Sequence, residues 1–152
     1  MSVPTRSFSE IRVGDELPAA THTPTRLTLF LFGVAYWTAH RIHYDVELAR
    51  AEGYDDVLVT ANLLSAYLAA LATGWAGDPD CLVALSERNL SPAVAGDTLT
   101  IRGTVAELIP DTEGGGIADC ALTVEQADGT VVVSATATLR LPASAEKPCS
   151  TE

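Results

Sequence analysis

The chain has 152 residues, 47% of them apolar, enough for a single domain to bury a core without disulfides or metal staples. Nine basic residues against twenty acidic ones leave a net charge of −11, a field that repels nucleic acid and anionic membrane surfaces and makes both unexpected as partners. Eight of the nine cations are arginines, with Lys147 the one lysine, which excludes Schiff-base chemistry on a core lysine; Cys81, Cys120 and Cys149 form no CxxC pair, so neither a zinc site nor a disulfide framework is expected and a reducing cytoplasm fits.

Residues 1–24 read as an irregular lead-in with RVGDELP as a turn, and they contain no apolar stretch of the kind a secretion signal needs. Thr25 is positioned to cap a helix over 26–37, which Thr28, Gly33 and Val34 weaken. AHRIHYD (39–45) follows as a connection. Asp45 is placed to cap a short helix, VELARAEG, that stops at Gly53. DVLV (56–59) is a short β-prone run. ANLLSAYLAALATGWAG (61–77) is a helix apolar on nearly all sides. Its length approaches a membrane span, but Asn62, Ser65, Tyr67 and Thr73, and the lack of flanking cations, favour a buried soluble helix. Tyr67 and Trp75 share a face of it and are expected in the core.

GDPD (77–80) is a turn, and the pattern then changes to strands. CLVALSERNL (81–90) precedes the turn-rich SPAVAGD, in which Asp97 reads as a turn residue. TLTIRGTVAELI (98–109), IADCALTVEQ (117–126) and VVVSATATLRLP (131–142) alternate apolar with polar residues, joined by PDTEGGG and by the hairpin signal Asp128-Gly129. A long apolar helix must be enclosed, and a curved antiparallel meander wrapped around it does so. The expected class is therefore α+β, one hot-dog domain over 1–142 with a disordered tail at 143–152. An exposed sheet edge in such a fold is commonly covered by a second chain.

The chemistry centres on AHRIHYD. Two histidines three apart with an arginine between them and an aspartate after them suit proton transfer, metal binding or a plain structural connection. No further ligand is evident for a metal. Three segments in order, RVGDELP, GYDDVLVTANLLSAYLAAL and SPAVAGDTLTIRGTVAEL, resemble those of the MaoC-like hot-dog proteins, the acyl dehydratases and (R)-specific enoyl-CoA hydratases. Thr38-Ala39-His40-Arg41-Ile42-His43-Tyr44-Asp45 is similar to the Asn-small-His-Arg-Ile-His-Tyr-Asp stretch of a sub-branch that includes mesaconyl-CoA hydratase-like dehydratases.

The resemblance implies addition of water to a trans-2-enoyl thioester, or its loss from a 3-hydroxyacyl thioester, with no cofactor. His43 falls on the family's acid/base histidine. Thr38 stands where the family has an aspartate or asparagine that orients the water; its hydroxyl can hydrogen-bond the water but cannot titrate near neutral pH. Ala61 stands at the family's glycine, whose N–H takes the thioester oxygen at the helix N-terminus. Asn62 lies at the helix entrance as a substrate contact. His40 reads as a packing residue, with contact to the substrate or its water, or orientation of the site, as its alternative. Asp45 reads as a helix cap. Arg88, with Arg41 and Arg102, is a candidate for CoA phosphates.

Acyl-CoA is the expected substrate, because acyl carrier protein is itself acidic. The expected assembly is a homodimer or a heteromer with a second MaoC-like chain. The departures at 38 and 61 motivate a second reading, a weakly active partner subunit of a heteromeric hydratase. A hot-dog thioesterase is a third; it places a carboxylate on or near the central helix, and residues 60–76 contain none.

Overall fold

The computed structural model describes residues 5–144. Five antiparallel strands form one sheet in the order β1-β3-β4-β5-β2. They are β1 (Glu16–His22), β2 (Leu82–Asn89), β3 (Leu99–Pro110), β4 (Gly116–Gln126) and β5 (Val131–Leu141); three helices, α1 (Arg26–Ala35), α2 (Val46–Ala51) and α3 (Ala61–Ala76), lie between β1 and β2 in the chain. The alternation read from the sequence sets the faces. Leu99, Ile101 and Val105 of β3, Leu122 and Val124 of β4, and Ala137 and Leu139 of β5 are all at most 1% exposed.

Helix α3 packs against this sheet through Leu64, Leu68, Leu71, Ala72 and Trp75, and Leu68 and Ala72 are wholly buried. Each such leucine removed from water contributes roughly 1.5–3 kcal/mol. The helix is closed at both ends. The buried Thr60 accepts the Leu63 N–H at 3.2 Å, and Gly77 ends it at φ 76°, its N–H bonded to Thr73 O at 2.9 Å. A left-handed residue at that stop suits glycine, which has no Cβ to clash. The enclosed helix in the grip of a curved sheet is the expected hot-dog arrangement. Among the described residues no helix is long and apolar enough to cross a membrane.

The lead-in departs from its reading. Residues 16–22 are an edge strand, paired with β3 from Glu16↔Thr104 to His22↔Leu99, with a bulge between Leu17 and Ala20. Pro18 and the alanines beside it carry little strand signal, and an edge bulge is where a sheet accepts proline. The strand exists because β3 offers it a partner. The first helix ends two residues early, at Ala35. The run 56–59 makes a single bridge, Leu58↔Val94. Trp75 is buried as expected, whereas Tyr67 is half-buried and stacks on His22, ring centroids 4.0 Å apart. From residue 145 onward the expected tail lies outside the described residues.

Candidate active site

The site begins with α1, whose cap is as read: Thr25 accepts the Thr28 N–H at 3.1 Å. Of its ten residues Leu29 is buried, while Leu27, Phe30, Leu31 and Val34 stand in solvent. The helix stops in a Schellman turn. Thr38 N–H bonds Gly33 O at 2.8 Å and Trp37 N–H bonds Val34 O at 3.3 Å. Trp37 thus occupies the left-handed position that glycine usually fills, at φ 55°, with 88% of its surface exposed. That conformation costs an L-residue roughly 1–2 kcal/mol.

After this turn Arg41–His43 form a short 3₁₀ helix anchored by the buried Ile42. Asp45 caps α2 by accepting the Leu48 N–H at 3.1 Å and also pairs with Arg41. Both bonds hold its carboxyl below the ordinary range, the Leu48 N–H most strongly. A carboxylate so engaged serves the backbone, as expected of it. Tyr44 Oη donates to Ala39 O at 3.1 Å, closing the loop.

Two bonds tie this loop to the strand-like run before α3. Leu58 N–H donates to Ile42 O at 3.0 Å, and His43 Nδ1 lies 2.9 Å from Leu58 O. A carbonyl oxygen only accepts, so Nδ1 must carry the proton. In the neutral ring Nε2 is then the acceptor, free to take a proton from a bound water. His40, expected to pack, is instead exposed, its ring meeting that of His43 edge-on at 5.8 Å between centroids.

His43 and Thr38 line the same cleft, about 190 Å³, whose other wall is Leu29, Phe30, Gly33 and Val34 of α1. Ala61 lines a different depression, about 300 Å³, with Leu64, Asn89 and Pro92. Leu58 lies between the two: its carbonyl holds His43 while its side chain lines the Ala61 depression. The Ala61 and Asn62 amides, at the start of α3, find no acceptor among the described residues, as the first amides of a helix do not. Arg88 does not line the cleft. It sits opposite the exposed Ser134, on the face of β2 turned away from the one Glu87 uses to reach α3. Arg102 lies 3.5 Å from Glu125.

Trp37, Tyr44 and Glu87 were not singled out by the sequence. A tryptophan at a helix stop carries no local signal, because that position is usually read from a glycine. Glu87 was legible in principle, since alternation along LVALSERN puts it on the face of Leu85. Its Oε1 accepts from Ser65 Oγ on α3 at 2.7 Å, while Oε2 is buried with no partner among the described residues.

An open cleft beside an acceptor imidazole, with a helix start bearing free amides across Leu58 from it, is equipment for acid/base chemistry on a polarised carbonyl compound. Solved structures share the whole architecture. The ChsH1–ChsH2 complex from Mycobacterium tuberculosis is 24% identical over 86% of this chain and 98% of its own, TM-score 0.76. R-hydratase PhaJ1 from Pseudomonas aeruginosa is 19% identical over 99% and 96%, TM-score 0.82. A MaoC-like dehydratase is 28% identical over 91% of this chain, which spans 43% of that longer one, TM-score 0.82. No curated protein sequence matches. The fold is thus the one that hot-dog hydratases and dehydratases share. Residues 5–95 match the model of the hydroxyacyl-thioester dehydratase type 2 family, and the chain belongs to that family.

Proposed function

We propose that this chain catalyses the reversible hydration of a trans-2-enoyl-CoA, with His43 as its acid/base. The observation that carries the reading is the Nδ1 bond to Leu58 O, which leaves Nε2 as the acceptor on a residue lining the cleft. In the hydration direction His43 Nε2 takes a proton from water as the water oxygen bonds to Cβ. The electron pair moves to the thioester oxygen, and as it returns His43 delivers the same proton to Cα, leaving the imidazole neutral again; dehydration runs the same steps backwards. Thr38, whose hydroxyl has no hydrogen-bond partner among the described residues, holds the water. The Ala61 N–H receives the thioester oxygen, helped by the positive end of α3. Asn62 and His40 are assigned to substrate contact. Of the three arginines considered for CoA phosphates, Arg41 and Arg102 face carboxylates, which leaves Arg88. The His-Arg-Ile-His-Tyr-Asp stretch supports membership of the mesaconyl-CoA hydratase-like sub-branch. A cytoplasmic single domain over 1–142 completes the reading.

A second reading has its own support. His43 and the α3 amides lie in separate depressions of one chain, the water-orienting carboxylate is replaced by Thr38, and one similar structure is a complex of two differently named chains. These favour a subunit that is weakly active until a second MaoC-like chain joins it. Purified chain with a panel beginning at crotonyl-CoA separates the two. Turnover lost in His43→Ala supports the enzyme, and turnover only after co-expression with a MaoC-like neighbour supports the heteromer. Silence in both cases overturns the hydratase reading. Release of free CoA would instead point to a thioesterase, for which Glu87, bonded to Ser65 of α3, is a carboxylate beside the central helix.

A further inference from the structure

We propose that Gly33 and Trp37 form an acyl-selecting slot, making them the specificity-determining residues for an apolar acyl chain; this rests on the hydratase reading above. Both residues stand where local conformational preference argues against them. Gly33 is inside a helix, where glycine is unfavourable relative to alanine. No packing demands it, since an added Cβ would meet one atom, Thr38 O, at an ordinary 3.6 Å. Trp37 is in the left-handed region, where glycine belongs, and its indole is held out in solvent rather than buried. Gly33 lies in the last turn of α1 and Trp37 two residues past its end, and both line the cleft that contains His43. Violations of local preference that converge on one cavity mark function better than either does alone.

The slot's chemistry names its occupant. Gly33 leaves the floor open, Phe30 and Val34 are apolar walls, and Trp37 is a large flat side. Polar groups are confined to the end at Thr38 and His43, and the Tyr44 hydroxyl is already bonded to Ala39 O. A pantetheine arm carries two amides for which such walls offer no partner, so it gains nothing there beyond what water already gives it. An alkyl chain leaves nothing unpaired, so the acyl group points along α1 with its reacting carbons at His43.

The experiment compares kcat/KM for trans-2-octenoyl-CoA with that for crotonyl-CoA in wild type, Trp37→Gly, Trp37→Phe and Gly33→Ala. Trp37→Gly and Gly33→Ala are expected to raise Tm, since each restores local preference. The octenoyl/crotonyl ratio should fall about tenfold in Trp37→Gly, chiefly through KM, and about threefold in Gly33→Ala, while Trp37→Phe stays close to wild type. A raised Tm with an unchanged ratio in both overturns the slot and leaves the hydratase reading standing. If wild type turns over neither thioester, calorimetric binding of butyryl-CoA and octanoyl-CoA decides instead. A preference for octanoyl that Trp37→Gly abolishes sustains the slot, and equal affinities, or no binding of either, overturn it.

Discussion

Helices α1 and α3 are built from similarly apolar residues and used in opposite ways. In α3 every local choice agrees with the fold: Thr60 caps it, Gly77 supplies the left-handed stop, and seven of its sixteen residues are buried. In α1 one of ten is buried, a glycine sits in the interior, and the same left-handed stop is filled by a tryptophan. Apolar composition alone therefore does not say whether a helix is core. The helix that follows the rules carries stability, and the helix that breaks them borders the cleft with His43.

The comparison can be broken most sharply at His43. His43→Ala should lower kcat by about 10²–10⁴-fold, while its Tm shifts only by the loss of one hydrogen bond, worth about 1 kcal/mol. A large fall in Tm would make the residue structural. Next in size is the core contrast. Leu68→Ala in α3 should cost about 2–5 kcal/mol in urea unfolding, whereas Phe30→Ala in α1 should stay within about 0.5 kcal/mol. Equal costs would mean that α1 is buried in solution by a second chain. The caps sharpen the same difference. Thr60→Ala, at a buried cap, should approach about 2 kcal/mol, and Thr25→Ala, at an exposed one, should lie nearer about 0.5 kcal/mol.

The smallest effect concerns how α1 is fastened. Arg26 pairs with Asp56, and this bond, its largest cause, holds the Asp56 carboxyl at about 2 against an ordinary 3.8. A depressed carboxyl adds stability above its unfolded value and loses it as pH falls from about 4 towards 2. The pair is exposed, so the contribution is small. Asp56→Asn should therefore lower Tm slightly at pH 7 and leave it unchanged near pH 2. A difference of the same size at both pH values would refute the assignment.

Much of this was readable in the residues. The alternation in 98–109, 117–126 and 131–142 placed three strands closely, because each has one buried face and a turn at its end. Asp45 and Thr25 were recognisable as caps, since capping depends on residues three positions away. The edge strand at 16–22 was not readable, because its stability comes from a partner some eighty residues later. Thr38 and His43 were found together through a motif. The separation of His43 from Ala61 was not, because sequence order places them near α3 without saying on which side of Leu58 each one falls.

Cys81 closes α3 onto the sheet and Cys120 lies in the middle of β4; both are buried. Burial pushes their thiols up to about 11 and about 12. At neutral pH roughly one molecule in ten thousand, or fewer, then carries either thiolate, which is the form that reacts. Folded, these cysteines are chemically silent; in an opened chain they react at an ordinary rate. With Cys149 replaced by serine, the pace of thiol labelling becomes a clock for how often the sheet parts from its helix, and adding an acyl-CoA to the tube would show whether an occupied site slows that clock.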